Sequence, residues 1–214
     1  MRRLWLTALV TATLAVAGGC DDGSKGEGAG DGDASAVPVE RLREGGYVLA
    51  FRHAATGAGM DTTNDLGDCS RQRNLNAEGR RQSRTIGRAF ERLEIPVGRV
   101  LASPFCRTRD TARLAFGRVR ASRALLSVEF FASPREGRRK GLRRLLRARP
   151  PRGTNTVLVS HGSAIYDATE VDPEEGEAVM VAPGRGRRGF AVVSTIEAYE
   201  WGRMAGISPA ARAM

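Results

Sequence analysis

The stretch GGYVLAFRH, residues 45–53, shows the pattern from which the fold can be predicted. A short apolar, β-prone run follows a glycine break and stops at an arginine and a histidine, as a buried strand does when it reaches the edge of a sheet. The pattern recurs twice. RVLA at 99–102 is followed by Ser103 and Pro104, and TVLVS at 156–160 is followed by His161. We therefore expect three buried strands that each end in polar residues.

Helical segments lie between these strands. Asn76 is a suitable N-cap for a helix that runs to about Leu93, and Pro96 enforces its end. Two further segments, 107–116 and 138–149, place apolar residues at helical spacing. The alternation of strands and helices predicts a layered α/β domain.

Two more apolar runs close the domain, at 178–181 and 190–193, and a turn rich in glycine and arginine separates them. This spacing predicts an antiparallel pair of strands. The predicted fold class is therefore α/β, a three-layer sandwich with a mostly parallel central sheet flanked by helices.

The chain contains only two histidines, His53 and His161, and both follow predicted strands. Ligands of such sheets bind beyond the carboxyl ends of the strands, so we expect the two imidazoles to meet at one edge. Arg52 and Arg107 are expected there too. Several potential cations in one place favour an anionic ligand, and the arginine fork and the imidazole both suit a phosphoryl group. A zinc site needs three or four ligands, so no metal and no other cofactor is predicted.

Three motifs occur in order at these strand ends, and together they resemble those of the histidine phosphatase superfamily, also called phosphoglycerate mutase-like, in its small exported phosphatase branch. The motifs are RHAAT at 52–56, SPFCRT at 103–108 and VLVSHG at 157–162. NLNAEG at 74–79, followed by Gln82, is similar to the family's helix opening. The resemblance spans about residues 45–201.

The resemblance implies a role for each matching residue. His53 would be the nucleophile that forms a phosphohistidine, and Arg52, Arg107 and Thr56 would bind the phosphoryl group. His161 would donate to the same oxygens and stabilise the transition state, and no metal would be required.

Two positions depart from the family pattern. Ala54 stands where the family usually has glycine, which adds a methyl group beside the nucleophile. Many members use a carboxylate after the second motif to protonate the leaving group. Glu129 is the nearest match, with Glu136 and Asp65 as alternatives.

The amino end has the pattern of an export signal. Two arginines precede an uncharged run from 4 to 17, and small residues come directly before Cys20. We expect residues 1–19 to be a signal peptide of the lipoprotein type and Cys20 to carry lipid; an ordinary secretory signal is the alternative. Residues 20–36 form a predicted acidic, glycine-rich tether, and 37–214 the catalytic domain.

Export would place the protein in the periplasm or on the cell surface, held to a membrane by its lipid anchor. Cys69 and Cys106 would then be an even pair in an oxidising compartment. A disulfide between them and two buried free thiols are both compatible with the sequence.

The net charge of +10 favours anionic partners. We expect a phosphorylated small molecule or glycan as substrate, with the loop 61–68 lying over the pocket. Nucleic acid is not expected, because aromatic residues make up only 6% of the chain and do not alternate with the basic ones. The hypothesis is a metal-independent phosphatase acting outside the cytoplasm; the alternative is a binding module that holds a phosphorylated glycan, lipid or small molecule without turnover.

Overall fold

A computed structural model describes residues 39–63, 65–127 and 135–208. Helices and strands alternate along most of this part of the chain. In order they are α1 (Val39–Glu44), β1 (Val48–Arg52), α2 (Ala77–Arg92), β2 (Val97–Ala102), α3 (Cys106–Phe116), β3 (Arg120–Ala121), α4 (Arg135–Arg147), β4 (Asn155–Ser160), α5 (Gly162–Thr169), β5 (Ala178–Pro183), β6 (Phe190–Ile196) and α6 (Ala198–Met204). Short 3₁₀ turns lie at Cys69–Arg71 and Arg123–Leu125.

The strands form one sheet in the order β3-β2-β4-β1-β5-β6. β1, β2, β3 and β4 pair in parallel, whereas β5 is antiparallel to both of its neighbours. The predicted α/β fold with a mostly parallel sheet is confirmed, and the predicted antiparallel pair is β5 with β6. The three strands whose ends carry the motifs, β2, β4 and β1, are direct neighbours.

Helices cover both faces of the sheet, because alternate side chains of each buried strand point to opposite sides. Leu49 and Phe51 of β1 pack in one core with Phe90 of α2 and Trp201 of α6. Val48 and Ala50 join the opposite core, with the helix residues Leu142, Leu146 and Ile165. The sheet and its two helical layers form the predicted sandwich.

Helix α2 begins where its capping residue predicts. The Asn76 side chain accepts a hydrogen bond from the Gly79 amide at 2.8 Å, which satisfies one of the first free N–H groups of the helix. Helix α4 starts and ends earlier than expected, at Arg135 and Arg147 rather than 138 and 149. Within the described ranges, no helix is both long and apolar enough to cross a membrane.

Several sequence predictions fall on residues outside the described ranges. These are the signal peptide 1–19, the lipidated Cys20, the tether 20–36 and the proton donor Glu129. They stay predictions.

Candidate active site

The carboxyl ends of three adjacent strands bring the two histidines together. His53 follows β1 and its amide donates to the Ser160 carbonyl of β4 at 3.0 Å, whereas His161 follows β4 directly. The two imidazole rings lie edge to face with their centroids 5.6 Å apart, and both residues are buried. Parallel pairing of β1 with β4 therefore builds the centre of the predicted site.

The backbone fixes which nitrogen of His53 carries a proton. Nδ1 lies 3.0 Å from the Ala54 carbonyl, which can only accept, so Nδ1 is the donor. In the neutral ring this leaves the lone pair on Nε2. The pKa of His53 is lowered to about 4, chiefly by burial and also by the charges of Arg107 and Arg52, while the Ala54 hydrogen bond and the Glu175 carboxylate act in the opposite direction. Near neutral pH His53 is therefore an uncharged imidazole with its lone pair on Nε2.

His161 is held by Ser103, the first residue of the second motif. Its Nε2 lies 2.9 Å from Ser103 Oγ, and its Nδ1 lies 3.5 Å from Nη2 of Arg107. Burial lowers the pKa of His161 well below its ordinary value, and the neighbouring charge of Arg107 acts in the same direction. Because a hydroxyl can donate or accept, Ser103 also permits the tautomer in which Nδ1 donates to a bound oxyanion.

The two predicted arginines flank the histidines. Arg107, buried in the first turn of α3, stacks over the Phe105 ring with its guanidinium carbon 4.5 Å from the ring centroid. Arg52 donates to the Pro173 carbonyl at 3.0 Å. Its side chain runs beside Gly162, where a Cβ would lie 3.3 Å from Nη1. The glycine after His161 thus makes room for Arg52.

The loop after His53 is tied to two helices. The Ala54 amide donates to Thr111 of α3 at 3.1 Å, and the Ala55 amide donates to Gln82 of α2 at 2.9 Å. Ala54 is fully buried. Gly79 packs against this loop so closely that a Cβ there would meet the Ala55 carbonyl oxygen at 2.0 Å. These contacts explain the glycine and the glutamine of the α2 helix opening.

Thr56, a predicted phosphate ligand, binds a carboxylate that no motif in the sequence singles out. Its hydroxyl donates to Glu175 Oε1 at 2.7 Å and its amide to Glu175 Oε2 at 3.2 Å. Oε1 of the same carboxylate lies 3.9 Å from His53 Nδ1. Glu175 is thus a site residue that the sequence interpretation missed.

The first residue of the loop 61–68 binds Arg107, and a disulfide lies next to this arginine in the sequence. Asp61 accepts a hydrogen bond from Arg107 Nη1 at 3.0 Å. Cys69 and Cys106 form a disulfide with their Cα atoms 5.7 Å apart, and Gln72 Oε1 accepts from the Cys106 amide at 2.9 Å. The Asp61 contact places the start of the 61–68 loop beside Arg107, and of the two cysteine alternatives the structure contains the bridge.

The alternative proton donors engage other partners. Asp65 caps its own turn by accepting from the Gly67 amide at 2.8 Å. Glu136 lies on the exposed face of α4 and pairs with Lys140 at 2.8 Å. No contact described for either residue includes a histidine or an arginine of the site. Across the described ranges, no three histidine, cysteine or acidic side chains come together as a metal site.

Comparison with known proteins supports the resemblance seen in the sequence motifs. Residues 48–126 match the family model of the histidine phosphatase superfamily (branch 1). The resemblance to the histidine phosphatase superfamily is confirmed. The match contains RHAAT and SPFCRT, and the third motif lies beyond it, at 157–162.

Several solved structures are similar to this one. A mutant phosphoserine phosphatase from Entamoeba histolytica, in complex with phosphoserine, is 11% identical with a TM-score of 0.51, over 71% of this chain and 97% of that one. The protein histidine phosphatase SixA, complexed with tungstate, is 14% identical with a TM-score of 0.49, over 72% and 98% of the two chains. A putative alpha-ribazole-5'-P phosphatase from Escherichia coli is 13% identical with a TM-score of 0.48, over 69% and 94%. The search of curated proteins found no match.

Proposed function

We propose that this protein is a metal-independent phosphatase that hydrolyses a phosphate ester through a phosphohistidine intermediate outside the cytoplasm. The comparisons support a phosphatase of the histidine phosphatase superfamily. The observation that carries the mechanism is the contact of His53 Nδ1 with the Ala54 carbonyl, because it assigns the lone pair of the nucleophile to Nε2.

In the first half-reaction, the Nε2 lone pair of His53 forms a bond to phosphorus while the bond from phosphorus to the leaving oxygen breaks. The leaving oxygen takes the electron pair and then a proton, from the predicted donor Glu129 or from water. Arg107 and Arg52 counter the charge on the phosphoryl oxygens, and His161 donates to one of them. The imidazole keeps its proton on Nδ1, so the phosphorylated ring becomes cationic.

In the second half-reaction, a water oxygen bonds to phosphorus and releases a proton to solvent while the N–P bond breaks, which returns the electron pair to Nε2. The same arginines hold the phosphoryl group in both steps. Every step uses side chains of this chain, and none needs a metal ion to supply charge or nucleophile.

The amino-terminal pattern supports action after export. An uncharged run precedes Cys20, and two cysteines form a bridge, as is usual in oxidising compartments. The proposal places the protein in the periplasm or on the cell surface as a lipoprotein, with a phosphorylated small molecule or glycan as its substrate. Mass spectrometry of the mature amino end tests it: a diacylglyceryl Cys20 supports it, and an unmodified Met1 opposes it.

The activity is tested by phosphate release from an aryl phosphate in the presence of a chelator, with His53→Ala prepared in parallel. We expect chelator-resistant turnover in the wild type, loss of it in the variant, and an acid-labile phosphoryl group on the wild-type protein during turnover. Wild-type protein that binds phosphate but turns over no member of a broad phosphoester panel would favour the alternative, a binding module.

A further inference from the structure

Glu175 lies behind the proposed nucleophile, on the side of the ring away from Nε2. Its Oε1 is 3.9 Å from His53 Nδ1, and both of its oxygens accept hydrogen bonds from Thr56. The next residue is bound to the nucleophile as well, since the Gly176 amide donates to the His53 carbonyl at 3.0 Å. The carboxylate is thus held at a fixed place relative to the imidazole.

The surrounding acids do not share this arrangement. Glu175 belongs to a short acidic run that also contains Asp172, Glu174 and Glu177. Glu174 is exposed, and Glu177 accepts from the Glu174 amide at 2.7 Å. In the contacts described for these four side chains, only that of Glu175 reaches His53 and Thr56.

We propose that Glu175 is a positioning residue whose negative charge stabilises the cationic His53 ring during phosphoryl transfer. The inference rests on the proposed function. When Nε2 bonds to phosphorus and Nδ1 keeps its proton, the ring gains a positive charge, and the carboxylate at 3.9 Å lies on the Nδ1 side where it offsets that charge. The bonds of Thr56 to Glu175 keep the carboxylate from turning away.

This role differs from that of a proton donor. A general acid has to reach the leaving oxygen, on the Nε2 side of the ring, whereas the contacts of Glu175 lie on the Nδ1 side. The charge matters most when the ring is cationic, so its loss should slow the chemical step more than substrate binding.

The test compares Glu175→Gln with Glu175→Asp, and uses Glu174→Gln as the matched control that removes a neighbouring charge. Each variant is made in the full chain and assayed for kcat, KM and the pH dependence of kcat/KM. We expect Glu175→Gln to lower kcat about ten- to a hundredfold with KM unchanged or lower, because removing a negative charge cannot weaken the attraction for phosphate. Glu175→Asp should recover part of kcat, and Glu174→Gln should match the wild type.

The pH dependence of kcat/KM distinguishes an effect of the Glu175 charge on His53 from a purely structural effect of the substitution. His53 must be unprotonated to attack, and Glu175 raises its pKa, so Glu175→Gln should move the acid limb of kcat/KM to lower pH. The other charged or titratable groups that face His53 are Arg107, Arg52 and His161, and none changes in these variants.

Two results overturn the inference. One is wild-type kinetics in Glu175→Gln. The other is an equal loss of kcat in Glu175→Gln and Glu175→Asp, with the acid side of the kcat/KM profile at the same pH as in the wild type. A wild type that shows no turnover contradicts the proposed function instead, so the two failures are distinguishable. Circular dichroism and thermal unfolding show whether Glu175→Gln folds. If it does not, the test rests on Glu175→Asp, which keeps the negative charge. The pH at which kcat/KM of this variant falls in acid should equal that of the wild type.

Discussion

Asp61 places its carboxylate 3.0 Å from Nη1 of Arg107, the arginine predicted to hold the phosphoryl group. The arginine is buried, whereas the aspartate lies on the loop over the pocket and its side chain is 27% exposed. A bound phosphate would share the guanidinium with this carboxylate or displace it. The loop therefore influences how strongly the site binds anions.

Replacement of Asp61 by asparagine should tighten the binding of inorganic phosphate. The variant removes a negative charge that competes for Arg107, and we expect the inhibition constant of phosphate to fall about three- to tenfold, the range of a partly exposed ion pair. Asp110→Asn, which alters an aspartate paired with Arg113 on the surface, is the control and should leave the constant unchanged. Weaker phosphate inhibition in Asp61→Asn would show that the carboxylate helps to shape the site instead.

Acid should destabilise the fold through His53. The unfolded imidazole takes up a proton below pH 6.5, whereas the folded one does so only below about 4, so the free energy of unfolding falls as the pH drops between these values. The expected slope from this residue is up to about 1.4 kcal/mol per pH unit. Urea unfolding at pH 7, 6, 5 and 4.5 measures it, and His53→Asn should show the shallower dependence. Identical slopes in the two proteins would mean that the imidazole titrates normally in the folded state.

Removing the disulfide should lower stability by about 3 to 4 kcal/mol, because Cys69 and Cys106 close a long loop, with a sequence separation of 37. Urea unfolding of Cys69→Ser/Cys106→Ser against the oxidised wild type checks this value. Cys106 directly precedes Arg107, so the reduced protein should lose activity as well. A reductant that changes neither quantity would contradict both expectations.

Gly79→Ala should lower both stability and activity, although Gly79 lies on helix α2 and not among the predicted site residues. Its methyl group would meet the Ala55 carbonyl oxygen at 2.0 Å, so the loop that holds the His53 imidazole has to move. We expect a loss of about 1 to 3 kcal/mol in stability and a lower kcat. Gly137→Ala is the control: this helical glycine is exposed with open space around it, and alanine there should stabilise by roughly 0.5 to 1 kcal/mol. Equal effects from the two substitutions would contradict the close packing of Gly79.

The centre of the site was predictable because each of its residues ends a strand that is recognisable by itself. Three apolar runs followed by His53, Ser103 and His161 fix the edge at which these side chains meet, and parallel order makes them neighbours. Helix α2 was predictable for a similar reason, since Asn76 marks its start locally. In both cases the decisive information lies within a few consecutive residues.

The remaining features depend on contacts between distant parts of the chain. Glu175 is one of several acids in a short run, and only the pairing of β1 with β5 brings its loop to Thr56, 119 residues away in sequence. Asp61 meets Arg107 across 46 residues in the same way. Helices α1, α5 and α6, of six to eight residues, are too short for apolar periodicity to reveal, and β3 has two residues.

Helix α1 enters the domain at the end of the sheet where the parallel strands begin. The Leu42 carbonyl at its end accepts from Asn155, the first residue of β4, whereas His53 and His161 follow the last residues of β1 and β4. The length of a strand, about 16 Å for the five residues of β1, separates the two ends. The first described helix and the two histidines therefore lie at opposite ends of the parallel strands, with the length of the sheet's central strands between them.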